Sequence, residues 1–437
     1  MNKSDKLAFL GGRPVRIKPF PEWPIHDENE INAMKEVVQS GKWWRGAYSV
    51  DELGSDAQIV GFSRVEAFEE KFSAYHGVRY GVATSTGLGA LDIAVKAIGI
   101  GPGDEVIVPP YTFIASATCI LHNNAVPVFV DIDQETYNIN ADKIEEAITV
   151  NTKAIIPVHF GGNLADMEKL GEIAKKHDLK VIEDAAHAHG VEWSGENMAG
   201  SMGDLGMFSF QQSKNMTAGE GGIVITSIEE LYELCFSLHH YGRVKGRPWY
   251  EIHRLGWNFR MTEFQAAILL VQLERLERLN NKRMKNAKYL TQCLQQIRGI
   301  SPVKVDKRIT KCSYHLFIFR YDPVEFEGVH RNDFVRALAA EGIPATTGYD
   351  FPIYSNPMFL NKEFFPYNCP IECQHYAKGI DFSNFKEKCP VAEKACYEEA
   401  VWLTQNVLLG EREDMDSIVE AIQKVKKNIG ELKGASE

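Results

Sequence analysis

Apolar and polar positions along this chain change period repeatedly, and the changes mark out its elements. Short strand-like runs lie at 80–84, 105–108, 126–131, 154–159, 179–184, 206–210 and 222–226, and several are β-rich and unbroken by polar alternation. Runs of that kind predict strands covered on both faces of a sheet. Segments of helical period separate them. Residues 27–40 place Ile31, Met34, Val37 and Val38 at helical spacing and close on Gly41. Helices are also predicted over 140–148, 167–177 and 229–240, and 261–297 is one long stretch without Pro or Gly. Strand and helix in alternation predict βα units and a mostly parallel sheet.

Both ends of the chain have a different texture. Pro14, Pro19, Pro21 and Pro24 fall within the first 26 residues, which read as an extended arm. From residue 299, Pro302, Pro323, Pro344, Pro352, Pro357, Pro366, Pro370 and Pro390 divide short segments before an amphipathic helix over 414–429. The expected organisation is therefore an arm (1–26), a large α/β domain (27–298) and a smaller α+β domain (299–437).

Composition narrows the setting. A formal net charge of −11, from 59 acidic against 48 basic side chains, gives no field that favours nucleic acid or an anionic membrane. The first twelve residues lack an apolar core of signal-peptide length, and no run approaches a membrane span. A soluble, cytoplasmic protein is expected. The eight cysteines show no disulfide rhythm. Cys369, Cys373 and His375 lack a second ligand pair, so no metal site is expected.

Candidate chemistry centres on Lys214. It lies thirty residues after Asp184, which closes an apolar run, and five after Ser209. That order suits pyridoxal phosphate: an acid for the pyridine nitrogen, a hydroxyl for the phosphate and an amine for a Schiff base. The run Ser85-Thr-Gly-Leu-Gly follows a strand and opens a helix, where free amides meet a phosphate. Phe113 follows a strand end, as a ring to stack on the pyridine or as a core residue capping the sheet. His187 or His189 can reach the ring oxygen or simply pack, and His159, at another strand end, is a weaker candidate, for contact with substrate. Arg243, Lys245 and Arg247 form a basic loop, read either as an anion pocket for substrate or as a solvated surface. Asn258 and Arg260 are the polar members of an apolar run.

Together these stretches resemble the DegT/StrS family of pyridoxal phosphate-dependent sugar and cyclitol aminotransferases. The resemblance is carried by residues 85–91, 103–109, 157–159, 184–190, 209–222 and 256–267. Residues 42–45, 184–190 and 216–222 are similar to two branches, the 3-amino-5-hydroxybenzoate synthases and the glutamine:scyllo-inosose aminotransferases. The resemblance implies an aspartate aminotransferase-type fold (pyridoxal phosphate fold type I) and a homodimer with shared sites. By position it makes Lys214 the Schiff-base lysine and proton shuttle, and Asp184 the partner of the pyridine nitrogen. Ser209 and the amides of Gly87 and Leu88 would hold the phosphate, Phe113 would stack and His187 would stand near the ring oxygen. Asn258 would reach the phosphate of the neighbouring subunit.

The implied reaction is ping-pong amino transfer from glutamate or glutamine to a keto sugar or keto cyclitol. A dehydratase or aromatising enzyme of the aminoshikimate type, and a regulatory protein that keeps the cofactor fold, are the alternatives. Family sugar dehydratases carry His at the lysine position, so Lys214 argues against that branch. Two departures stand out. Leu88 takes the place of a family Thr or Ser, and Gln405 stands where the two branches often carry histidine.

Overall fold

The computed structural model describes residues 6–49, 61–364, 369–372 and 374–436. Seven strands form the main sheet: β1 (Tyr80–Thr84), β2 (Glu105–Val108), β3 (Val126–Phe129), β4 (Thr152–Ile155), β5 (Lys180–Asp184), β6 (Leu205–Ser209) and β7 (Gly222–Thr226). Their order across the sheet is β1-β7-β6-β5-β4-β2-β3. Only β7 runs against its neighbours; every other pairing is parallel.

Apolar residues dominate the strands because successive side chains enter different cores. Val82 and Val224 join one cluster, while Ala83, Ile223 and Ile225 join another on the opposite face. The first face is covered by α3 (Gly87–Ala97) and α6 (Glu229–His239), after α1 (Glu28–Ser40) and α2 (Arg64–Tyr75); the second is covered by α2 and α7 (Glu263–Leu294). Between them in sequence lie α4 (Ala115–His122) and α5 (Met167–His177). The start of α1 is set by a capping box between Asp27 and Glu30, and that of α7 by one between Thr262 and Gln265.

A second sheet joins β8 (Ile300–Pro302), β9 (Leu316–Tyr321), β10 (Ala345–Thr346) and β11 (Ala400–Thr404) in the antiparallel order β8-β9-β11-β10. α8 (Arg331–Ala340), α9 (Arg412–Lys427) and the C-terminal half of α7 share its core. The long helix therefore joins two cores: Ala266, Leu269 and Leu276 pack under the main sheet, and Ala287, Leu290 and Leu294 under the small one.

Several expectations are corrected. The run 126–131 pairs only as far as Phe129, and Asp131 instead accepts the amides of Ile132, Val391 and Ala392. Residues 140–148 fold as a 3-10 turn and one helical turn, Ile144–Ala147, not as a full helix. Helix α7 is continuous, and the last amphipathic segment starts at Arg412.

The N-terminal arm is docked. Leu7 is fully buried in the small-sheet core, Glu341 takes the amides of Ala8 and Val15, and Arg16 pairs with Asp414 at 2.7 Å. Nor does everything beyond residue 299 belong to the small sheet. Ile353, Tyr354, Phe359, Phe382 and Phe385 pack into the main core, with four of these rings 5.3–6.0 Å from Phe129 on edge strand β3. Apolar surface at that sheet edge draws the segment back across the expected boundary. Cys373 lies outside the described residues.

Candidate active site

A cleft of about 780 Å³ opens where the parallel strands end, between the two sheets. Open α/β sheets place ligands there because loops from neighbouring strands diverge at their C-terminal ends. β1 leads into the start of α3, β2 into Thr112 and Phe113, β5 ends on Asp184 and β6 on Ser209. Lys214, His187, Leu88, Gly87 and Gln405 line the same space.

Lys214 sits on a loop tied at every turn. Its amide donates to the Gln211 carbonyl at 2.9 Å, and the Gln212 amide donates to Gly219. Thr217 Oγ1 donates to the Phe210 carbonyl, Asn215 Nδ2 donates to that of Ser313, and Trp23 Nε1 donates to that of Gln212. Gly219, at φ 84°, makes the reversal into β7 that a side chain would strain. The Lys214 amine takes no hydrogen bond among the described residues. Desolvation pushes it down to about 8, against the upward pull of Asp184.

Asp184 is buried and accepts from Ser116 Oγ at 2.7 Å and from the Ala186 amide at 3.2 Å. Burial raises its carboxyl above the usual range, while the Ser116 hydrogen bond, the Ala186 amide and the Lys214 charge oppose that shift. Two N–H or O–H donors and a nearby cation are what an anionic carboxylate needs in such a place.

At the start of α3, Thr86 caps the Gly89 amide at 3.0 Å, and the first-turn amides of Gly87 and Leu88 have no helical partner. A Cβ on Gly87 would lie 2.7 Å from the Cβ of Ser209, so only glycine lets the helix start meet Ser209. The result is a cradle with helix-dipole and hydroxyl character. These residues fit pyridoxal phosphate: the cradle suits the phosphate, buried Asp184 suits a protonated ring nitrogen, and Lys214 is the amine within the same cleft.

His187 is buried, and its Nδ1 accepts from the Gly161 amide at 3.3 Å, which leaves Nε2 as a donor. Burial and the neighbouring Lys214 hold it well below the usual range, so it is neutral. Its ring lies 4.2 Å from that of His315, whose Nδ1 meets Asn215 Oδ1 at 3.1 Å. His189 lies deeper and meets the Ser209 carbonyl through Nε2 at 2.9 Å. Phe113 is 60% exposed and lines the cleft, which removes the core-capping reading.

Four candidates lie elsewhere. His159 is fully buried; its Nε2 meets Glu183 at 2.8 Å and its Nδ1 takes the Ala165 amide. It props the strand behind Asp184 and presents no surface to the cleft, which corrects its reading as a substrate contact. Arg243 and Arg247 line a separate pocket of about 180 Å³ with Arg45, Lys245 and Trp249. Arg243 meets His240 Nε2 at 3.1 Å and lies 4.8 Å over the Trp249 ring. Asn258 is exposed and bridges to His240. Within one chain, none of these four lines the cleft that holds Lys214.

Sequence reasoning missed Trp23, Ser116, His315, Tyr349 and Trp402, which all line the cleft. Trp23 and Trp402 come from the two Pro-rich ends of the chain, where no local pattern announces a site. Ser116 sits one helical turn after Thr112 on the segment that carries Phe113, a spacing that could have flagged it.

The sequence profile of the DegT/DnrJ/EryC1/StrS aminotransferase family matches residues 24–423. The chain is 39% identical over 436 residues to a provisionally named L-glutamine:3-amino-2,3-dideoxy-scyllo-inosose aminotransferase from Streptoalloteichus tenebrarius, covering 98% of this chain and 100% of that one. It is 35% identical to the L-glutamine:2-deoxy-scyllo-inosose aminotransferase of Streptomyces kanamyceticus, over 97% of each. Among solved structures, 3-amino-5-hydroxybenzoic acid synthase superposes with a TM-score of 0.81 at 33% identity, covering 94% of this chain and 100% of that one. NtdA from Bacillus subtilis, with pyridoxamine phosphate bound, superposes at 0.75 with 27% identity, covering 94% and 86%.

Proposed function

The chain belongs to the DegT/DnrJ/EryC1/StrS aminotransferase family, a pyridoxal phosphate-dependent enzyme of fold type I, and from that premise we propose that it moves an amino group from L-glutamine or glutamate to the keto group of a cyclitol or sugar in two half-reactions. The relatives named for glutamine and scyllo-inosose support the donor and the acceptor class. The observation that carries the reading is one cleft holding a Lys214 amine pushed down to about 8 and the buried carboxylate of Asp184.

When bound, the cofactor supplies an electron sink for the carbon that gains or loses the amino group. Asp184 would keep the ring nitrogen protonated, and Ser116 and the Ala186 amide donate to that carboxylate and favour its charged form. Lys214 takes a proton as a base in one half-reaction and returns it as an acid, a task suited to an amine near neutral pH. The amides of Gly87 and Leu88 and the Ser209 hydroxyl would hold the phosphate, and neutral His187 would offer its Nε2–H to the ring oxygen. Phe113 presents its ring to the same space.

The protein is proposed to work in the cytoplasm as a homodimer. Among the described residues no helix is long and apolar enough to cross a membrane. Exposed Trp43, Trp249, Tyr250, Ile252 and Leu255 give the basic-loop face an apolar character suited to a second copy. In such a dimer Asn258, Arg243 and Arg247 would reach the partner's cleft.

The test is spectroscopic. The yellow holoenzyme should bleach with L-glutamine and recover its colour with 2-deoxy-scyllo-inosose or a keto sugar. No bleaching with any amino acid would end the reading. Conversion of the ring to an aromatic product without gain of nitrogen would favour the aromatising alternative.

A further inference from the structure

One polar cluster in the cleft has no part in the chemistry above. Gln405 follows β11, is 2% exposed and still lines the cleft. Its Oε1 accepts from Nε of Arg283 at 2.9 Å and from Nη2 at 2.5 Å. Arg283, on α7, is fully buried; its Nη1 donates to Asn280 Oδ1 at 2.8 Å. The guanidinium carbon lies 5.3 Å from the ring centre of Trp23, another cleft residue. Every one of these partners is neutral. Among the described residues no carboxylate pairs with Arg283.

Two consequences follow. The Gln405 amide cannot flip, because its NH₂ would then face the guanidinium donors. Its nitrogen is therefore directed away from Arg283, and it makes no hydrogen bond among the described residues. Behind that nitrogen stands a buried cation without a counter-charge, a costly arrangement in a protein interior. Burial alone pulls Arg283 down to about 9. A polarised N–H donor with a positive charge behind it suits an anionic acceptor in the cleft.

We infer that Gln405 binds the carboxylate of the amino donor, and that Arg283 is a positioning residue that fixes and polarises its amide. This rests on the reading above that the donor is an α-amino acid. Such a donor always carries an α-carboxylate, whereas the ring of an inosose carries no anionic group. A carboxylate could also sit on the acceptor, so the two half-reactions must be read separately.

The experiment uses holoenzyme, with wild type beside Gln405→Glu, Gln405→Leu and Gln405→His. Gln405→Glu is the key variant, since it keeps Arg283 paired and the fold intact while turning the donor into an anion. The donor half-reaction is followed by cofactor absorbance against L-glutamine concentration, and the acceptor half-reaction with 2-deoxy-scyllo-inosose. Gln405→Glu and Gln405→Leu should raise the half-saturating glutamine concentration about ten- to a hundredfold, the worth of a hydrogen bond to a charged group. Their limiting donor rate, visible spectrum and acceptor saturation should stay within about threefold. Gln405→His, which keeps an N–H, should recover most of the loss. Unchanged glutamine saturation in Gln405→Glu, or equal losses in both half-reactions, would overturn the inference and leave the aminotransferase reading standing. A shift confined to the acceptor would assign the unit to an acceptor group and overturn it too. A wild type inert to every amino acid would instead bring down the functional reading and this inference with it.

Discussion

Two loops carry the cationic residues first picked out from the sequence, and they are built in opposite ways. The loop that carries Lys214, residues 210–221, is closed on its own chain by hydrogen bonds from Trp23, Asn215, Thr217 and Gln265. The basic loop, residues 241–256, leaves Tyr241, Trp249, Tyr250, Ile252 and Leu255 exposed, and its pocket holds none of the residues around Lys214. One loop finishes a site within its chain; the other presents apolar and basic surface outward. The first loop needs nothing from outside its own chain, whereas the second, in our reading, is completed by a second copy.

The comparison breaks most sharply at Lys214. Lys214→Ala should lower overall turnover by at least about a thousandfold, since both proton transfers lose their acid and base. Its visible cofactor absorbance should be lost as well, and borohydride should label no other lysine in wild type. Asp184→Asn comes next. Cofactor should remain bound through the α3 cradle and Ser209, while both half-reactions slow by about a hundredfold because a carboxamide cannot hold the ring proton. Unchanged single-turnover rates would take Asp184 out of that role. Arg243→Ala and Arg247→Ala should behave differently from both: a roughly ten- to hundredfold loss confined to the acceptor half-reaction. Loss in the donor half-reaction would erase the contrast between the loops.

Much of this was legible in the chain, and the reasons are physical. Strands covered on both faces advertise themselves as apolar runs, so β1, β2 and β7 were placed to the residue. Asp184, Ser209 and Lys214 stand at strand ends and on a glycine-closed loop, where local sequence and site coincide. Helix α2 was not picked out, although Ser63 caps it and Phe68 and Phe72 are buried beneath it. Its apolar positions are diluted by Glu69 and Ser73, polar residues that are themselves buried and so spoil the stripe. Trp23, Arg283 and Gln405 meet through tertiary contact between the arm, α7 and the end of β11, and no spacing in the sequence records that meeting. His159 misled because a strand-end histidine looks the same whether it faces the cleft or, as here, a buried Glu183.

The smallest effect tests whether the lysine loop is electrostatically strained where the basic loop is not. In apoprotein, burial pulls the Lys214 amine from an ordinary 10.5 down to about 8. Below pH 8 the ammonium is charged in both folded and unfolded chains, and the full cost of burying it is present. Between about 8 and 10.5 the folded lysine is neutral while the unfolded one still holds its proton. The unfolded state then binds more protons, so stability rises with pH across that window. Lys214→Met removes the cost at every pH. The variant should therefore be more stable than wild-type apoprotein at pH 7, by on the order of 1–2 kcal/mol once solvent in the cleft is allowed for. That gap should close as pH climbs from 8 towards 10.5. Arg247 is exposed, and Arg247→Met should melt in parallel with wild type throughout. Urea unfolding at four pH values between 7 and 10.5 decides it: a constant gap for Lys214→Met would mean that the loop holds its amine without strain.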